Sequence, residues 1–177
     1  MNSSAQDQMI SNLTGMVTSL WPLLIYVIIF TGILLCGWSI WMFIQAQRGG
    51  NGGKGYVATF FAGVFMTNIN AMLNTASESF FNTSSPASLT LHMTSGASGE
   101  YGQVVSLLFD FLALIGLYAY YRAFLLLREA GEDRHAIGPA LWHFAGGVAM
   151  VNAQTLLQVL GVSVGGLFQQ VVQHILG

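Results

Sequence analysis

FFAGVFMTNINAMLN (60–74) and FAGGVAMVNAQTLLQ (144–158) lie 84 residues apart and superimpose without a gap. Six of the fifteen positions are identical: Phe60/Phe144, Gly63/Gly147, Val64/Val148, Met66/Met150, Asn68/Asn152 and Leu73/Leu157. Two more exchange amide for amide, Asn70 for Gln154 and Asn74 for Gln158. The same displacement pairs Leu23/Leu107, Leu24/Leu108 and Gly32/Gly116 in the apolar segments that come before. The chain therefore holds two copies of one unit: helix, short basic turn, helix. Because each copy crosses twice, both have the same orientation, a parallel repeat rather than the inverted kind common in secondary transporters.

Composition sets the solvent. Of 177 residues, 54% are hydrophobic and only 7% charged, against about 25% charged in a soluble domain. Four segments are long and apolar enough to cross a bilayer: 21–44, 56–73, 104–127 and 139–160. At about 1.5 Å per residue, some 20 residues span the roughly 30 Å hydrocarbon core. The expected fold is all-α: an integral membrane protein of four transmembrane helices from a tandem duplicated hairpin. Residues 1–80 form the first repeat, 81–102 a polar exported loop, 103–160 the second repeat and 161–177 a tail.

The five basic residues orient it. Arg48 and Lys54 lie in the first short connection, and Arg122, Arg128 and Arg134 lie at the end of the third segment and in the loop after it. The positive-inside rule puts both turns in the cytoplasm and both termini and the 81–102 loop on the other side. The N-terminus MNSSAQDQMISNLTGM has no basic n-region, so the first apolar run reads as an uncleaved helix rather than a signal peptide. The single cysteine, Cys36, lies in that helix and cannot staple the exported loop.

Within the second helix of each copy, Gly63, Thr67, Asn70 and Asn74 are spaced 4, 3, 4, as are Gly147, Val151, Gln154 and Gln158. On a continuous helix this spacing draws one narrow stripe. A glycine lets a neighbouring backbone approach, and amides further along hydrogen-bond across, each worth roughly 0.6–2 kcal/mol in lipid. The stripe thus predicts a helix-packing seam, either among the four helices of the chain or against other subunits. Asn68 and Asn152 fall well away from it at 100° per residue and need a different partner.

Other candidates for chemistry are weaker. Asp110 lies seven residues inside the third segment, where a lipid-facing charge is costly; either another subunit pairs with it or it stays near interfacial water. RGGNGGKGY (48–56) lacks the first glycine and the Ser/Thr of a phosphate loop and reads as a flexible turn. Gly96-Ala97-Ser98-Gly99 is similar to the nucleophile motif of rhomboid proteases, but it stands in a polar connection with no positioned base. The four histidines have no metal-ligand spacing. EAGEDRH (129–135) reads as a solvated turn or a docking surface for a cytoplasmic partner. In the tail, Leu167, Phe168, Val171, Val172, Ile175 and Leu176 share one face opposite Gln169, Gln170, Gln173 and His174, an amphipathic helix. Gly161, Gly165 and Gly166 supply a bend between span and tail.

MISNLTGMVTSLWPLL with its Asn12-Leu13, the Gly-rich first turn, and HFAGGVAMVNAQTLL with Gly146-Gly147 and Asn152 together resemble the DotE/IcmC family of type IVB secretion systems and its TraQ relative in I-type plasmid conjugation. The resemblance runs over most of the chain. It implies a small, non-enzymatic inner-membrane part of a machine that exports DNA or protein, with no catalytic residues and no cofactor or metal. The implied partners are further copies or other membrane subunits, lipid, and DNA only indirectly or through a lumen. Each hairpin is also similar to the pilins of type IV secretion, which are extracted from the membrane into a filament with the basic turn facing the lumen. This chain departs from that pattern in carrying two hairpins and a long exported loop. A small-solute or ion transporter, lined by Asp110 and the amides, is the alternative from another class.

Overall fold

The computed structural model describes residues 3–49, 55–82, 100–166 and 170. They form α1 (Ser3–Gln47), α2 (Tyr56–Thr67), α3 (Ile69–Phe81), α4 (Glu100–Glu129), α5 (Ile137–Val151, entered through a 3-10 turn Arg134–Ala136) and α6 (Ala153–Val164). No strand occurs among the described residues. Gln8–Gln47 and Val104–Glu129 are each long and apolar enough to cross a membrane. The pairs α2–α3 and α5–α6 pass the same test only as bent units, so the count of candidate spans is two, or four with each bent pair taken as one. That is compatible with a membrane protein.

Each long helix and the helix after it form a tight hairpin, and the contact is made by glycines. A Cβ added to Gly32 would lie 2.7 Å from the Gly63 carbonyl oxygen and 2.8 Å from the Thr67 nitrogen. One added to Gly116 would lie 2.8 Å from the Gly147 oxygen and 2.8 Å from the Val151 nitrogen. The two crossings match residue for residue at the repeat displacement. Backbone meets backbone at both, so any side chain there must push the helices apart.

The hairpins pack side by side, α2 against α4. Phe65 of the first repeat stacks on Phe124 of the second at 5.8 Å between ring centroids, and Phe124 and Phe144 bracket Tyr120 at 5.0 and 4.8 Å. The core runs through Ile28, Met66, Ile69, Leu117, Tyr120 and Val148, all at most 1 or 2% exposed. At one end the two turns touch: a Cβ on Gly131 would sit 2.8 Å from both the Gly55 Cα and the Ala58 Cβ. Both hairpins therefore begin their return at the same level.

The expectation of straight helices over 56–73 and 139–160 is corrected. The first of these breaks at Asn68, where α3 leaves α2 at 84°, and the second at Asn152, where α6 leaves α5 at 81°. Asn68 (φ −103°, ψ 31°) and Asn152 (φ −103°, ψ 25°) share one non-helical backbone conformation. The tail boundary at 160/161 shifts too, because α6 continues through Gly161 to Val164 and ends on Gly165 at φ 66°. The predicted amphipathic tail beyond it lies almost wholly outside the described residues, as does the polar loop 83–99.

The glycine crossings generate a direct prediction. Gly32→Ala and Gly116→Ala should each destabilise the protein by about 1–3 kcal/mol, the usual cost of overpacking, because the obstructing atoms are largely backbone. Gly138→Ala, where a Cβ meets nothing within 4 Å, should be neutral or slightly stabilising. Unfolding in detergent followed by circular dichroism checks all three. Tyr120→Phe supplies a contrast: the buried Tyr120 hydroxyl has no hydrogen-bond partner among the described residues, so its removal should leave stability unchanged or raise it by about 1 kcal/mol.

Candidate functional site

The two asparagine breaks are the most distinctive local chemistry in the fold. Asn68 donates its side-chain Nδ2 to the Val64 carbonyl at 3.0 Å, and its backbone N–H reaches the same oxygen at 3.1 Å. Asn152 repeats the pattern on Val148, at 2.8 Å from the side chain and 3.1 Å from the backbone. A short amide side chain that bonds the carbonyl four residues back competes with the helical ladder. The same residue then starts the next helix, since its carbonyl accepts Met72 N–H in the first copy (3.0 Å) and Leu156 N–H in the second (2.9 Å). One asparagine thus ends one helix and opens another almost at right angles to it. This is the partner that Asn68 and Asn152 needed: their own backbone.

The copies differ in what surrounds the break. Asn152 is buried, 4% exposed, and also donates to Ser77 Oγ at 2.8 Å. Ser77 belongs to α3 and is itself fully buried, so the first repeat closes over the break of the second. Asn68 is exposed, and the hydrogen bonds it makes among the described residues stay within its own helices. A hydroxyl at Ser77 was not foreseeable from the repeat, whose second copy has Gly161 at that position.

The break also corrects the predicted amide stripe. Gly63 stays on α2 while Asn70 and Asn74 pass to α3, and Gly147 stays on α5 while Gln154 and Gln158 pass to α6. With about 80° between the halves, no single seam joins each glycine to its amides. Gly63 and Gly147 pack inside their own hairpins against Gly32 and Gly116. Asn70 and Gln158 are exposed, and Asn74 and Gln154 are half-buried. Thr67 Oγ1 turns back onto the Gly63 carbonyl at 2.9 Å rather than across to a neighbour.

Asp110 faces inward on α4 and is 7% exposed, so its carboxyl is held by the fold rather than by lipid. Arg48, Arg128 and Arg134 are exposed, at or beside the turns that meet at Gly55 and Gly131. Asp133 accepts the His135 N–H at 2.9 Å and shapes the second turn, and the Glu132 side chain lies against Gly55. Lys54 lies outside the described residues, as do Ser98, His92 and His174. Among the described residues, no three of His, Cys, Asp and Glu come close enough to hold a metal ion.

Neither a protein-family model, nor a curated protein, nor a solved structure matches the chain.

The Asn152–Ser77 bond yields a thermodynamic prediction. Asn152→Ala and Ser77→Ala should each destabilise the fold, and the double variant should lose less than the sum. The expected coupling is roughly 0.5–2 kcal/mol, read from a double-mutant cycle in detergent. Asn68→Ala combined with Ser77→Ala should show additive losses.

Proposed function

We propose that the chain is a non-enzymatic integral inner-membrane subunit of a bacterial conjugation or type IV secretion apparatus, acting by helix–helix assembly with other subunits. The carrying observation is the apolar outer surface of the long helices: α1 turns Tyr26, Phe30, Ile33, Trp38 and Trp41 outward, each at least 50% exposed. In water such a surface would aggregate; in a bilayer it is the surface required. The link to conjugation and secretion rests on the sequence resemblance.

The meeting of the turns supports the expected topology. Contact between Gly55 and Gly131 gathers Arg48, Arg128 and Arg134 at one end of the fold, the cytoplasmic end by the positive-inside rule. From that end, the 12 residues of α2 climb about 18 Å, so the break falls inside a core of roughly 30 Å. With α2 along the membrane normal, α3 then runs close to the membrane plane. It buries Ile69, Leu73 and Ala76 on one side and exposes Glu78 and Ser79 on the other. Copies of the chain, other membrane subunits and lipid are the partners this surface suits, with DNA at most indirect.

One observation favours a second reading, a small-solute or ion transporter. Broken helices whose ends meet inside the bilayer line substrate sites in many transporters, and this chain has two broken helix pairs and a buried Asp110. Against it, the Asn152 break is filled by Ser77 and the repeats are parallel.

Deleting the gene in its native host should abolish transfer of DNA or protein, with the protein recovered in inner-membrane fractions. Recovery in sheared filaments would point instead to a pilin. Purified protein in liposomes should give no solute flux; flux lost in Asp110→Asn would establish the transporter.

A further inference from the structure

The seam between the two repeats inside one chain is a template for a seam between chains. Three contacts define the internal seam: Ser77 on Asn152, Phe65 on Phe124, and Gly55 with Ala58 on Gly131. On the second-repeat side Leu117, Phe124 and Asn152 are buried, at 0, 3 and 4% exposed. The same positions in the first repeat, 84 residues earlier, are Ile33, Ile40 and Asn68. All three are uncovered, with Ile33 and Ile40 at 55 and 53%.

That open face is continuous. Tyr26, Phe30, Ile33, Gly37, Ile40 and Ile44 recur every three or four residues along α1 and every one is exposed; a Cβ on Gly37 would meet nothing within 4 Å. The complementary face on the second repeat is open as well. Ala62, fully buried on α2, corresponds to Gly146 on α5, where an added Cβ meets nothing within 4 Å. Ala58, against Gly131, corresponds to Trp142, which is 80% exposed.

We propose that the α1 face with Ile33, Ile40 and Asn68 is covered by α5 and α6 of a second copy of this chain, docked head to tail as α2 and α3 dock onto α4 and Asn152 within one chain. The proposal rests on the reading of the chain as a membrane protein that works by assembly. Lipid fills an apolar face without cost, but it offers no hydrogen-bond partner to a side-chain amide held inside a bilayer. The Asn152 amide donates to Ser77, while among the described residues the Asn68 amide donates only to Val64 of its own helix. The covering copy brings Gln158, an exposed amide one turn before the residue that corresponds to Ser77. Units that stack through one repeated interface leave complementary faces open at the two ends. A head-to-tail contact of this kind propagates into a ring or a filament.

The test uses full-length protein in native membranes, in a Cys36→Ser background. Two differently tagged copies are co-expressed, one with Ala149→Cys and the other with Ile40→Cys, the positions that correspond to Phe65 and Phe124. Oxidation should produce a dimer band bearing both tags. That band should be lost when Ile40→Cys is replaced by Trp38→Cys on the other flank of α1. A single chain with Phe65→Cys and Phe124→Cys, which should close an internal disulfide, verifies the template and the fold. An internal disulfide without the two-tag band overturns the proposal and leaves the face to lipid or to a different subunit. Absence of the internal disulfide removes the template and overturns it too. A two-tag band in a host whose transfer survives deletion of the gene would keep the interface and discard the transfer function. Loss of transfer without the band would do the reverse.

Discussion

Two helix backbones touch where Gly32 meets Gly63, and again where Gly116 meets Gly147, with no side chain between them. The rest of the fold follows from this approach. It sets the spacing of each hairpin and lets Met66 and Val148 reach full burial beside it. It also brings the returning helix close enough for Phe65, Phe124 and Tyr120 to pack between the two hairpins. In a bilayer, where apolar side chains gain little by leaving lipid for protein, close backbone packing of this kind is a principal source of helix association.

The asparagines impose the second constraint. A helix-long return would make each repeat a simple pair of spans; the turn of about 80° at Asn68 and Asn152 makes it a span with a hooked partner. The hook of the first repeat carries Ser77 onto the break of the second, so the duplication is structurally directional: one break is served from within the chain and the other is left at its edge. Identical local geometry in unequal surroundings is what a repeat unit shows when its neighbour is present on one side only.

Much of this was legible in the sequence. The 84-residue displacement, the two hairpins and the glycine pairs all follow from aligning 60–74 with 144–158, and the low charge content marks the helices as membrane-like. The 4, 3, 4 spacing of the amide stripe has meaning only on a continuous helix, and the breaks at Asn68 and Asn152 interrupt it. The signal for the break was present in the pairs Val64/Asn68 and Val148/Asn152, identical in both copies and off the stripe. An asparagine in an apolar run can bond a neighbouring helix or its own preceding turn, and periodicity does not distinguish the two. Ser77 left no trace in the repeat because its counterpart is a glycine, and the inward direction of Asp110 depends on packing that composition does not encode.

Both repeats break at asparagine into halves nearly at right angles. Distances between paired spin labels test it most directly, using Val57 with Glu78 across Asn68, and Leu141 with Val162 across Asn152, all exposed positions substituted by cysteine in a Cys36→Ser background. At 1.5 Å per residue, a bend near 80° predicts backbone separations of about 23 Å for both pairs. Separations of about 32 Å, the length of an unbroken helix over the same residues, would contradict it.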